Sequence, residues 1–444
     1  MSFPLCAHHN RSRAIVMPYA APALPSSLFA RRHAGAYLRC LRIAFFGCWL
    51  LFPFGRMFQT IGGISCLVLC LGYYACDYDN SVLRRLRGKW LIVFFFIFML
   101  LNTLLSSWVR HSFSYVGSTL YLSWPMLFAG MEVTRSRRDI TLLGLMFLIA
   151  ACGEGLAGVW QYATGFDPIN GDPPMDGRLT GSFNTYRVGN YIGIALLPAC
   201  LGYFALPARW SQVRRLLITG ICLLPALFLL AGSQTRSGMM GLAAGMFVIL
   251  AARYSRHWPL LLILPAALTL TVLFGPERLS LELAMRDQRW ELWTGAWQAF
   301  LHNPVWGTGA STFKPALNAL DIVLPRGGNT FAHPHSIYVQ FLVDGGVVGF
   351  TIAMGFLLGL WGWCGLRIVR GIRAYHNSAA ATHWLMTAFL WGGYTCYLVT
   401  GISGHNFYRT WWLAMGVALL GATIGACLSA PAPLPAQPER THAA

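Results

Sequence analysis

"LIVFFFIFMLL", residues 91–101, holds no polar or charged side chain and no alternation of apolar with polar positions. A strand of a membrane barrel alternates, so this run reads as part of an apolar helix. Runs of the same kind recur along the 444-residue chain, which is 56% hydrophobic and only 11% charged. A soluble chain carries about a quarter charged residues. The expected fold class is therefore an all-α integral membrane protein with about 12 transmembrane helices. The spans expected are 40–55, 58–76, 89–108, 114–131, 140–162, 188–206, 214–232, 237–254, 258–275, 335–362, 382–402 and 408–429. The tenth is long enough to tilt or to leave the membrane.

With the N-terminus inside, roughly two thirds of the 33 Lys and Arg fall on cytoplasmic segments, the bias that sets membrane orientation. The net charge of +18 is then a topogenic signal plus attraction to anionic lipid, and no nucleic acid is called for. Residues 1–38 read as a disordered cytoplasmic tail and 431–444 as a second one, flanking a polytopic membrane domain, 39–430. None of the 12 cysteines lies in an outer loop, so a disulfide framework is not expected. There is no zinc-ligand spacing, and neither metal nor cofactor is expected.

Two outer loops are long, 163–187 and 276–334, and long loops carry function. In "RDQRWELWTGAWQAFLHNPVWGTG", residues 286–309, Trp290, Trp293, Trp297, Phe300 and Leu301 form one stripe at helical spacing. This predicts an amphipathic helix at the membrane surface, acting as a lid, as a substrate contact or as both. Arg289, beside the stripe, has two readings: it snorkels or it grips a phosphate with both arms of its guanidinium. "AGSQTRSGMMG", 231–241, puts Arg236 at the start of a helix among Ser, Thr and Gly, a setting for an anion; the alternative is a helix cap with an exposed arginine. "RLTGSFNTYRVGNYIG", 178–193, adds Arg178 and Arg187 as possible phosphate or headgroup contacts or as ordinary loop arginines.

"AHPHSIYVQFLVDGGVVG", 332–349, places His333 and His335 at the mouth of the tenth span. A helix N-terminus disfavours imidazolium, so His335 in its first turn is expected neutral and fit to act as a base; the alternative is a polar cap. Tyr338 follows on a similar face. Asp344, about 13 Å deeper, falls on the opposite side and reads as a packing partner. The loop carboxylates Asp167, Asp172, Asp176, Glu277 and Glu282 form no paired acid/base spacing, and Asp77-Tyr78-Asp79 is a short chance match to a metal-binding pattern.

Arginines hold phosphates and a neutral histidine takes a proton. A diphosphate leaving group needs charge stabilisation, and an alcohol nucleophile needs a base. The set suits glycosyl transfer from a lipid diphosphate to a sugar hydroxyl without a metal, in one inverting step.

Four segments carry a resemblance: "RLTGSF", "QTRSG", "RWELW…NPVWGTGASTF" and "HSIYVQFLVDGGVVG". The last has His335 and Ser336, nine residues, then Gly346 and Gly349. Together, in this order, they resemble the O-antigen ligase and polymerase superfamily of bacterial inner-membrane enzymes. Tyr186-Arg187 stands where that family often has Pro-Asn. The resemblance implies a GT-C-like architecture, an undecaprenyl-diphosphate-linked O-antigen donor, a lipid A–core acceptor and an active site facing the periplasm. It maps the catalytic histidine onto His335, with His333 as a rival two residues away, and the essential arginines onto Arg236 and Arg289. A polymerase and a protein O-oligosaccharyltransferase share the donor; the His-Ser-x9-Gly-x-x-Gly pattern favours the ligase. A lipid-linked-glycan transporter would spread charge through the mid-membrane and often show internal repeats. Here Glu154 and Asp344 are the only deep acidic residues, and no repeat is visible.

Overall fold

A computed structural model of the chain describes residues 28–183, 185, 187–254, 287–324, 331–375 and 379–430. Of the sequence expectations, the span 258–275, Glu277, Glu282 and Tyr186 lie outside these residues.

The described residues form α-helices with short 3-10 turns. They are α1 Leu28–Leu51, α2 Arg56–Asp77, α3 Val82–Arg85, α4 Lys89–Leu104, α5 Val109–Leu122, α6 Trp124–Val133, α7 Arg137–Thr164, α8 Val188–Ala199, α9 Gln212–Gly232, α10 Arg236–Tyr254, α11 Arg289–His302, α12 Phe313–Ala319, α13 Ile337–Ala374, α14 Ala379–Thr400 and α15 Thr410–Leu428. Eight helical stretches among the described residues are long and apolar enough to cross a membrane. The chain is a multi-pass, all-α membrane protein.

The connections after α1, α4, α7, α9 and α14, with α11 and α12, meet at one end of the bundle, here the upper end. Hydrogen bonds tie them together: Ser182 Oγ donates to Pro53 O at 3.2 Å, Arg178 Nε to Ser233 O at 2.7 Å, Ser106 Oγ to Thr308 O at 3.2 Å, and Ile337 N to Gly401 O at 2.9 Å. The lower end is basic and has its own polar staple. Glu132 accepts from Val82 N at 3.0 Å and Leu83 N at 3.1 Å and pairs with Arg135. Asp77 and Asp79 lie there too, Asp77 accepting from Asn80 and Asp79 paired with Arg84.

Two expectations need correction. Helix α1 begins at Leu28, inside the stretch read as a disordered tail. The span 114–131 is two helices that break at Ser123-Trp124-Pro125. Helix α5 begins where His111 Nε2 meets Ser311 O at 3.0 Å and ends where Ser123 Oγ donates to Thr410 O at 2.8 Å, so both of its ends belong to the upper end. Pro125, in the first turn of α6, has no N–H to continue the hydrogen bonding of α5. Of the tryptophan stripe on α11, Phe300 turns inward and Trp293 is half-buried. Leu292, Ala296, Ala299 and Phe300 are buried, whereas Trp290, Trp297 and Leu301 point outward. Small side chains let α11 lie close to the rest of the protein, and the Trp290 and Trp297 rings remain outside.

The Gly-x-x-Gly of α13 has a structural role. Gly346 has φ +60° and interrupts the helix. Pro304–Gly309 lies across the break and satisfies its backbone. Val347 N donates to Pro304 O at 2.8 Å and Val348 N to Val305 O at 3.2 Å, while Thr308 N donates to Val343 O and Gly309 N to Asp344 O, both at 2.9 Å. Buried backbone groups need such partners, so the "NPVWGTG" and "DGGVVG" segments form one unit. Asp344 is buried and accepts from Ser311 N at 2.8 Å. It anchors this unit, as its position on the far side of the helix implied.

Candidate active site

The upper-end loops enclose a cavity of about 300 Å³. Arg178, Arg187, Arg236 and Arg289 all line it, with His335, Asp287, Asn190 and Ser237. Five residues singled out in the sequence, spread over 178–335, thus meet in one place.

Each is positioned by its local fold. Arg178 closes a two-residue turn in which Asp176 and Gly177 both have positive φ and Met175 and Arg178 exchange backbone hydrogen bonds of 3.0 Å, the geometry that Asp-Gly favours. The following Thr180-Gly181-Ser182 is fastened to α7. Gln161 Oε1 accepts from Thr180 N at 2.8 Å, and Glu154 accepts from Ser182 N at 2.7 Å and Ser182 Oγ at 2.6 Å. Both deep acidic residues therefore hold loops onto helices. Arg187 stands at the N-terminus of α8 and is followed by Gly189; Arg236 opens α10 and is followed by Gly238. A Cβ on Gly189 would overlap Ser233 and Thr235 in the turn before α10, and one on Gly238 would overlap the backbone of α8 at Gly189; this close approach brings Arg187 and Arg236 to one cavity. Arg178 reaches back to the turn before Arg236, its Nη2 lying 3.4 Å from Thr235 Oγ1. Arg289 opens α11. Asp287 accepts from its backbone N at 3.0 Å and its guanidinium at 3.2 Å, which aims the side chain.

His335 lies before α13, not in its first turn: the N-cap is Ser336, whose Oγ accepts from Val339 N at 3.4 Å. Its φ is +54°, uncommon for a residue with a Cβ. Three contacts hold that conformation. His335 N donates to His333 Nδ1 at 3.2 Å, Trp293 Nε1 donates to Pro334 O at 3.0 Å, and Ile337 N is tied to Gly401. A tryptophan of the expected stripe therefore sets the histidine loop. The two imidazoles lie 4.2 Å apart, centroid to centroid; His335 lines the cavity and His333 is not among its lining residues. Tyr338 is not among them either, and its hydroxyl donates to Leu398 O at 2.9 Å.

Burial, then the charges of Arg289, Arg187 and Arg409, lower the His335 pKa to about 4, against a smaller opposing effect of Asp287. His333 is lowered to about 3 by burial, His335, Arg409 and Arg187. His335 is therefore neutral at physiological pH, as expected, but burial and guanidinium charge are the causes. Replacing Arg289 by glutamine removes one of these charges, which favours imidazolium. NMR titration of His335 in Arg289→Gln should give a pKa raised from about 4 towards 6.5; an unchanged or lower value contradicts this electrostatic reading.

Three neighbours were not singled out in the sequence. Buried His405 has its Nε2 2.9 Å from Asn190 Nδ2, Asn190 in turn accepts from Ser237 Oγ at 2.8 Å, and Arg409 bears on all three histidines. The expected span 408–429 absorbed Arg409 into an apolar helix. The outer-face logic that selected the other arginines applies to it equally.

Residues 221–354 match the O-antigen ligase family model. That stretch of the chain is similar to the O-antigen ligases. The matched region contains Arg236, Arg289, His335 and the interlocked glycine segments. Arg178 and Arg187, which line the same cavity, come from the loop before the matched region. The similarity points to lipid-linked polysaccharide substrates in general. No curated protein matches the chain.

Proposed function

We propose that the protein is an O-antigen ligase, transferring O-antigen polysaccharide from undecaprenyl diphosphate to a sugar hydroxyl of lipid A–core. The observation that carries the reading is the meeting of four arginines and neutral His335 in one cavity. The arginines hold the diphosphate and stabilise the charge it gains on leaving. The acceptor hydroxyl oxygen bonds to the anomeric carbon as the carbon–diphosphate bond breaks. The bonding pair leaves with the diphosphate, and the hydroxyl proton passes to His335. Attack opposite the leaving group inverts the anomeric centre, with no metal needed. A 12-span, GT-C-like architecture in the bacterial inner membrane, with the cavity facing the periplasm, belongs to the same reading; the Lys and Arg bias supports the orientation.

The test is transfer by the purified full chain in a defined lipid mixture with a chelator present. Lipid A–core, a second lipid-linked glycan and a serine-containing peptide are offered in parallel with one undecaprenyl-diphosphate glycan. Product on lipid A–core alone is the expected result. Extension of the lipid-linked glycan makes the protein a polymerase, and product on the peptide makes it a protein O-oligosaccharyltransferase; either outcome overturns the acceptor assignment.

A further inference from the structure

A second cavity, also near 300 Å³ at about 310 Å³, lies at the upper end between the start of α2, helix α5 and the start of α15. Its chemistry differs from that of the first. Tyr115 and Trp411 offer aromatic faces, Gln59, Ser118 and Thr410 offer amide and hydroxyl groups, and Arg409 offers one positive charge. A sugar ring presents apolar C–H faces that rest on aromatic rings and hydroxyls that pair with short polar side chains. One guanidinium among them selects a phosphate or carboxylate substituent.

The two cavities share a wall. Asn190 lines the first and meets His405 at 2.9 Å; His405 meets Trp411 edge-on at 5.2 Å between centroids; Trp411 lines the second. Rings from two other segments pack on Trp411, Phe183 at 5.9 Å and Phe52 at 6.3 Å, so the wall is built of interlocked rings. Arg409, at the N-cap of α15, lines the second cavity while its charge reaches His333 and His335. A group bound at Arg409 therefore lies on the far side of this wall from the first cavity.

We propose that this cavity binds the acceptor glycan, an anionic sugar held by Arg409 and stacked between Tyr115 and Trp411, while the arginine-rich cavity holds the donor diphosphate. The assignment rests on the transferase reading for the word acceptor. Glycan binding itself can be measured without turnover.

The experiment measures equilibrium binding to the purified full chain. The probes are the water-soluble oligosaccharide of lipid A–core, its dephosphorylated form, an O-antigen repeat oligosaccharide, and undecaprenyl diphosphate. Ser118→Trp fills the cavity, and Gln59→Ala removes one polar contact without adding bulk. Core oligosaccharide affinity should fall at least about tenfold in Ser118→Trp and about three- to tenfold in Gln59→Ala. The dephosphorylated form should bind wild type about tenfold more weakly. Undecaprenyl diphosphate should bind all three proteins equally, which also reports that the variants are folded. If the repeat oligosaccharide binds with the same sensitivity and the core does not, the cavity stands and the acceptor is a second lipid-linked glycan. Absence of glycan binding, or binding indifferent to both variants, overturns the proposal. Sensitive glycan binding by a protein that transfers nothing would overturn the transferase reading and leave the glycan site.

Discussion

His335→Ala should lower the transfer rate by about 10²–10⁴-fold, the contribution of a positioned general base, with donor affinity retained. His333→Ala should cost less, because the His333 imidazole supports His335 through one hydrogen bond, its Nδ1 accepting from the His335 backbone N–H. The pH dependence carries the same information. A base lowered to about 4 stays unprotonated across the neutral range, so the wild-type rate should be flat from about pH 5.5 to 7.5 and fall only as the pH approaches that value. An acidic limb centred near 6.5 would mean that the base is an imidazole in ordinary solvent. Full activity in His335→Ala would remove it from the chemistry.

Gly346→Val should be the most damaging change outside the cavity. At φ +60° a β-branched residue is strained, and its Cβ would overlap the Val305 backbone that crosses the break in α13. Strain and overpacking together cost about 3 kcal/mol or more. The expected result is a clearly lower thermal midpoint, with loss of transfer because the 304–309 segment ties the end of α11 to α13, the helix that follows the histidine loop. Gly362→Ala, on the same helix with nothing within 4 Å of the added carbon, is the control and should stay within about 0.5 kcal/mol of wild type. Equal melting of Gly346→Val and wild type would show that the interlock does not hold the upper end together.

Much of this was readable from the sequence because a membrane protein sorts its polar groups strongly. Arg178, Arg187, Arg236, Arg289 and His335 stand out against an apolar background, and alternation of apolar spans places them at one end. Asp344 was placed correctly by helical periodicity alone. Other features depend on packing that periodicity does not encode. An apolar run such as 114–131 reads the same whether it crosses the membrane or turns at Ser123-Trp124-Pro125. Gly346 was noticed as part of a motif, but its break in α13 is visible only beside Pro304 and Val305. Arg409, His405 and Asn190 were absorbed into or placed beside predicted spans, and only the fold brings them to the histidines.

The most direct measurement of the central claim is undecaprenyl-diphosphate affinity in wild type and in the Arg236→Ala/Arg289→Ala double variant, with undecaprenol as the uncharged control. Loss of two charge-assisted contacts predicts affinity about 100-fold weaker or more for the diphosphate and no change for the alcohol. Equal diphosphate affinity in the two proteins would mean that the head group binds elsewhere and that this cavity is not the donor site.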